Sequence, residues 1–182
     1  MITLANVRTA LMLPDFDPTA AMLDMVPPGR MERRSEPPPK QAAVLALLTG
    51  NDGEIGIVLT RRTDHLNGHS GQMSFPGGRR EEADNDFEET ALREASEELG
   101  IETGGVTLLG ALAPLYIPPS HFDVHPFVGY LTPLPPLLPN PDEVAAVYIA
   151  PLAELFNPQA HQMASIETMA GPLQVPAYIL CE

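Results

Sequence analysis

Between Asp86 and Gly100 the chain carries one helix whose ends and faces are both readable in the sequence, and this segment constrains the fold more than any other. At 3.6 residues per turn Glu94, Glu97 and Glu98 fall within a sector of roughly 100°. Leu92, Ala95 and Leu99 point the opposite way and can bury against a sheet. Asp86 is placed to cap the helix, with Glu89 three residues later as in a capping box, and Gly100 stands where a left-handed C-cap is expected. Ahead of the helix, Pro76 restricts Phe75 to an extended conformation, while Gly77 and Gly78 permit a tight turn and let main-chain groups approach a ligand. Like charges on one face repel, and a divalent cation removes that repulsion. Hard carboxylate donors, in a helix without cysteine or histidine, suit Mg²⁺ or Mn²⁺ better than zinc. A merely solvated acidic face would need neither the glycine turn nor Arg93 beside it.

The rest of the chain supplies a sheet for this helix. QAAVLALLT (41–49) and IGIVLT (55–60) are strand-like runs joined by NDGE, which reads as a hairpin turn. VTLLGALAPLYI, VHPFVGYL and AAVYIA give three more strand candidates, and the prolines at 118, 119, 133, 135, 136, 139 and 141 mark loops or edges. A second helix is expected from Pro151 over Leu152 to Phe156, and QVPAYIL reads as a further strand. The expected organisation is an N-terminal helix and proline-rich linker over 1–39 and a main α/β domain over 40–182, with a mixed sheet between helices.

Composition excludes other classes. A chain of 182 residues, 44% hydrophobic, can bury one good core. The single cysteine, Cys181, rules out an internal disulfide and fits a reducing compartment. No run approaches the roughly 18 apolar residues of a membrane span, so no membrane partner and a cytoplasmic location are expected. A net charge of -14 argues against a broad nucleic-acid surface, without excluding a small anionic ligand held by metal ions and local arginines.

With these residues in view, FPGGRREEADNDFEETALREASEELGI (75–101) resembles the Nudix box, G-x5-E-x7-R-E-U-x-E-E-x-G-U, where U is apolar. Arg93, Glu94, Ala95, Glu97, Glu98, Gly100 and Ile101 match its second half. Counting from Gly78, the acidic position is Asp84 rather than Glu, and eight residues instead of seven separate it from Arg93, which leaves the role of Asp84 open. LTRRTDHLNGHSGQMSFPGG (59–78) resembles the additional signature of the coenzyme A pyrophosphatase branch, through Thr60, Arg61, Leu66, His69, Gly71, Phe75, Pro76, Gly77 and Gly78. The likeness covers about residues 40–158 and implies the Nudix α/β/α sandwich. It also implies hydrolysis of the diphosphate of coenzyme A or its thioesters, giving 3′,5′-ADP and 4′-phosphopantetheine products. Another nucleoside diphosphate derivative, such as ADP-ribose or a dinucleotide, and a noncatalytic nucleotide-binding domain are the alternatives.

The resemblance distributes roles. Glu94 and Glu98 are the first metal ligands, Glu97 supports a second ion, and the Gly78 carbonyl completes a shell. Arg93 is expected to turn away from the ions while its fork holds a carboxylate in register. Glu97 or Glu94 can orient water as the base; Asp142, Glu143 and Asp123, from later loops, are the other candidates. Arg61, Arg62 and the Gly77 turn are expected at the substrate phosphates; Arg30, Arg33 and Arg34 form a second basic patch with a weaker claim. His65 and His69, four apart, read as loop residues more than as zinc ligands. Tyr116, Phe122 and Phe127 are candidates for a nucleotide pocket or for core packing. Because sequences resembling this one continue past its end at Glu182, a terminal packing element is expected to be shortened or supplied by a partner, a homodimer being one form of this.

Overall fold

The computed structural model describes residues 1–25, 36–63, 73–168 and 171–180. The chain begins with α1 (Leu4–Ala10) and α2 (Pro18–Met25), followed by β1 (Lys40–Thr49) and β2 (Gly56–Arg62). Two short strands, β3 (Met73–Ser74) and β4 (Gly77–Arg79), lead into α3 (Phe87–Leu99). Then come β5 (Thr107–Ala111), β6 (Leu115–Ile117), β7 (Phe122–Tyr130), β8 (Val144–Pro151), β9 (His161–Thr168) and β10 (Gly171–Tyr178). Leu66, Gly71, His65, His69, Arg30, Arg33, Arg34 and Cys181 lie outside the described residues.

β1 organises the sheet. It runs parallel to β7 over Lys40–Leu48 and changes its antiparallel partner along its length: β4 lies against Ala42–Val44, and β2 against Leu48 and Thr49. A strand paired on both edges and covered on both faces needs apolar residues at successive positions, which is why QAAVLALLT shows no clean alternation. Ala43, Leu45 and Leu47 face α3 and pack with Ala91, Ala95, Leu99 and Phe127. Ala46 and Leu48 face the other side, where Ile57, Val128 and Ala150 are joined by Ile2, Leu4, Val7 and Leu11 from the α1 segment. Helix, mixed sheet and helix form three layers, as expected.

Three expectations are corrected. The segment after Pro151 closes as a short 3-10 turn over Leu152–Phe156, because Asn157-Pro158 follows too soon for α-helical bonds to accumulate. VTLLGALAPLYI is two strands: the register of β5 on β7 shifts between Leu108 and Gly110, and Pro114 interrupts the chain before β6. β9 was not expected; it pairs along its whole length with β10 in a separate two-stranded sheet.

Candidate active site

The helix forms as its signals require, with one change at its start. Asp86 accepts the Glu89 N–H at 2.8 Å. Glu89 does not complete a capping box; its carboxylate accepts the main-chain and side-chain N–H groups of Asn85, both at 2.7 Å. Gly100 adopts the left-handed conformation at φ 67°. The last carbonyls, which a helix cannot satisfy internally, are taken up by the proline-rich loop: Leu138 N–H donates to Leu99 O at 2.9 Å and Asn140 N–H to Glu98 O at 3.0 Å. Ala91, Ala95, Leu99 and Glu98 are buried while Leu92 is only half-buried, so the face against the sheet is rotated to include one of the carboxylates.

Arg93 is the hub of the box, and its fork engages three carboxylates rather than one. Its Nε and Nη2 grip both oxygens of Asp84 at 2.9 and 3.0 Å, while Nη1 reaches Glu94 Oε1 at 3.0 Å and Glu97 Oε2 at 3.1 Å. Nη2 also donates to the Arg79 carbonyl at 3.0 Å. Asp84 is buried and takes further bonds from Thr90 Oγ1 and Glu81 N–H. The Arg93 fork outweighs the effect of burial and holds the Asp84 carboxyl far below the usual carboxylate range. Asp84 thus anchors Arg93 across the eight residues that separate them.

Glu98 is the unusual group. Its side chain is only 2% exposed, and its Oε2 has no hydrogen-bond partner among the described residues. Burial raises its pKa from 4.5 to about 7, against the opposing pull of Arg62 and an N–H from Gly77. Burial also raises the Glu94 pKa, partly offset by Arg93. The Glu94 carboxylate lies directly against Gly78, on the space a Cβ there would fill. Glu97 is 54% exposed and engaged by Arg93. Among the described residues no three Asp, Glu, His or Cys side chains converge as a ready metal cage. The donors present nonetheless fit a hard divalent cation: two mutually repelling carboxylates, one with an orphaned buried oxygen, beside a glycine turn whose main chain is accessible.

The two glycines fail differently when replaced. Gly77 lies against the Ala43 carbonyl and Val44 within the β1–β4 pairing. Gly77→Ala is therefore expected to destabilise by about 1–3 kcal/mol. Gly78→Ala presses on the Glu94 carboxylate, which can shift only by loosening its Arg93 bond, so its thermal midpoint should fall less than that of Gly77→Ala while the proposed metal-dependent turnover falls by at least about tenfold. Thermal melts and kcat for the pair check this.

The other expected residues separate clearly. Arg62 Nη1 lies 3.7 Å from Glu98 Oε1, whereas Arg61 is exposed and makes no ion pair among the described residues. Glu143 is close enough to raise the pKa values of both Glu94 and Glu98, and its carbonyl accepts the Thr63 N–H at 3.0 Å. Asp142 is exposed, and Asp123 accepts Gln41 Nε2 at 3.3 Å on β7. Phe127 belongs to the core, Phe122 packs under the Lys40 ammonium, and Tyr116 bonds His121 at 2.8 Å. Not anticipated were Asn140, which ties the Glu143 loop to the end of α3, and Thr90. The Asn-Pro of PNPDEV was the available signal for Asn140.

A family model described as the NUDIX domain matches residues 39–170. The chain belongs to the Nudix family. It is 43% identical over 121 residues to Nudix hydrolase 15, mitochondrial, of Arabidopsis thaliana, covering 65% of this chain and 42% of that protein. It is 46% identical over 101 residues to an uncharacterized Nudix hydrolase, NudL, of Yersinia enterocolitica, covering 56% of this chain and 51% of that protein. The chain thus spans about half the length of these curated relatives or less. Among solved structures, the Nudix hydrolase RenU of M. smegmatis superposes with a TM-score of 0.54 at 20% identity, over 65% of this chain and 74% of that one. A Nudix hydrolase of Alicyclobacillus acidocaldarius gives 0.56 at 18%, over 68% and 83%. The Nudix fold is shared with both. No helix among the described residues is long and apolar enough to cross a membrane.

Proposed function

We propose that this chain hydrolyses the diphosphate of a nucleoside diphosphate derivative with a divalent cation, and that coenzyme A or its thioesters are the substrates, giving 3′,5′-ADP and 4′-phosphopantetheine products. The observation that carries the hydrolytic part is the buried Glu98 carboxylate, with one oxygen unpartnered, beside Glu94 and the Gly77–Gly78 turn. The choice of coenzyme A rests on the resemblance of residues 59–78 to that branch of the family. Residence in the cytoplasm is part of the proposal, supported by composition alone; two relatives are named as mitochondrial and chloroplastic.

Glu98 and Glu94 would hold Mg²⁺ or Mn²⁺, with the Gly78 carbonyl, and Glu97 would support a second ion. The cation supplies neutralisation of the diphosphate oxygens and acidifies water. Arg93 fixes Glu94 and Glu97 by a fork pinned on Asp84, so their positions need not be recovered at each turnover. Arg62 offers a guanidinium to a phosphate oxygen at the same place. Glu143 is the proposed base: its charge acts on both Glu94 and Glu98 and it is not engaged by Arg93, and it would take a proton from the water whose oxygen bonds to phosphorus as the bridging P–O bond breaks.

Glu143→Gln is expected to lower kcat by roughly 10²- to 10⁴-fold with little change in KM, while Asp142→Asn stays within a few-fold. Steady-state kinetics on both variants decide between the two carboxylates. The substrate assignment is tested by incubating coenzyme A, acetyl-coenzyme A, ADP-ribose and diadenosine diphosphate with the enzyme and Mg²⁺ or Mn²⁺, and weighing the products. Preferential release of 3′,5′-ADP supports the proposal. Preference for ADP-ribose or the dinucleotide keeps the chemistry and removes coenzyme A; no turnover of any compound by folded, metal-loaded protein leaves a binding domain.

A further inference from the structure

We propose that Arg62 is the built-in counter-cation of Glu98, and that a divalent ion entering this carboxylate displaces the guanidinium toward the anionic ligand. This rests on the metal-site reading above and adds a coupling between metal entry and the arginine. β2 pairs regularly with β8 until Arg61, where the register slips, so that Arg61 opposes Ala146 but Arg62 opposes Val144. The extra residue, Ala145, lies on β8, so β2 keeps its alternation and its successive side chains point to opposite faces. That alternation leaves Arg61 exposed and sets Arg62 on the other face, with Nη1 3.7 Å from Glu98 Oε1. The next residue fastens this arrangement: Thr63 N–H donates to the Glu143 carbonyl at 3.0 Å, and Thr63 Oγ1 to the Asp142 carbonyl at 3.1 Å.

The pairing is built to be given up. Glu98 is nearly sealed, whereas Arg62 is 29% exposed, and their separation is too long for a hydrogen bond. Arg62 therefore relieves the buried charge without satisfying it, and Glu98 Oε2 has no partner among the described residues. A doubly charged ion held by Glu98 would compensate the carboxylate better and would repel the guanidinium, whose partly solvated stem lets it swing without repacking the core. The freed cation then faces a phosphate instead of a carboxylate. Linkage makes this reciprocal: removing Arg62 must strengthen metal binding, although it weakens binding of the anion.

The test is Mn²⁺ affinity by electron paramagnetic resonance, without nucleotide, for wild type, Arg62→Gln, Arg62→Lys, Glu98→Gln and, as a charge-matched control, Arg8→Gln at an exposed position of α1. Arg62→Gln should bind Mn²⁺ at least about fivefold more tightly, with Arg62→Lys and Arg8→Gln close to wild type and Glu98→Gln much weaker. Equal or weaker affinity in Arg62→Gln, while Glu98→Gln still loses Mn²⁺, overturns the displacement and leaves the metal site standing. An affinity gain of the same size in Arg8→Gln would assign the effect to overall charge and also overturn it. Loss of Mn²⁺ from no variant overturns the metal-site reading itself. If Arg62→Gln does not fold, Arg62→Met carries the same comparison.

Discussion

Glu98→Gln is expected to reduce metal-dependent turnover by roughly 10³-fold or more, since the several kcal/mol that a cation contributes to a charged transition state depend on its ligands. The same substitution should stabilise the protein without added metal at alkaline pH, and this opposite response distinguishes a functional carboxylate from a structural one. The sign follows from the pKa. A carboxyl raised from 4.5 to about 7 by burial binds its proton more tightly in the folded state. Its contribution to stability is complete below the unfolded value, shrinks as pH rises from 4.5, and is lost above about 7. Glutamine removes that penalty, which amounts to about 3 kcal/mol at most above pH 7. Thermal melts of metal-stripped wild type and variant from pH 4 to pH 8.5 should nearly coincide at the acid end and diverge at the alkaline end. Parallel curves would mean that the Glu98 pKa is not raised in the fold, and activity retained by the variant would remove it from the mechanism.

The second large effect belongs to Asp84, which touches no candidate ligand directly. Asp84→Ala leaves the partly buried Arg93 without the carboxylate that holds both arms of its fork. Breaking such a pair from one side costs about 3–5 kcal/mol, a fall in thermal midpoint on the order of 10 °C for a chain of this size. Turnover should fall as well, because Glu94 and Glu97 lose their register with Arg93. Arg93→Lys is not expected to rescue either property, since an ammonium cannot span Asp84, Glu94 and Glu97 together. The depressed Asp84 pKa sets the pH window: its stabilisation is present above the unfolded value of 3.8 and is lost only in strong acid. A midpoint for Asp84→Ala within a degree or two of wild type would contradict the anchoring role.

How much could be read beforehand differed by element. α3 was legible because its cap, its C-terminal glycine and its apolar face are local signals that agree, and tertiary packing only rotated the buried face onto Glu98. β1, β2, β7 and β8 followed from apolar runs between turn residues. β9 was missed because HQMASIET carries neither strict alternation nor a continuous apolar run; its pairing with β10 is a tertiary outcome. In the site, helical spacing brought Glu94, Glu97 and Glu98 together on paper, but spacing cannot rank their burial. The sheet does this, by covering Glu98 and leaving Glu97 in solvent. Nor could spacing assign Asp84, whose reach to Arg93 depends on the turn at Glu81–Asp84; strand alternation puts Arg61 and Arg62 on opposite faces, but which of them meets Glu98 is a tertiary outcome.

As proposed, Glu98 is held buried and, among the described residues, underpaired so that a divalent cation can enter. The most direct measurement is the thermal midpoint at pH 8 against Mn²⁺ concentration, for wild type and Glu98→Gln side by side. Wild type should rise by roughly 5–10 °C at a hundredfold excess over the dissociation constant, and Glu98→Gln should stay flat from a higher starting point. An equal rise in both proteins, or none in wild type, would contradict the account.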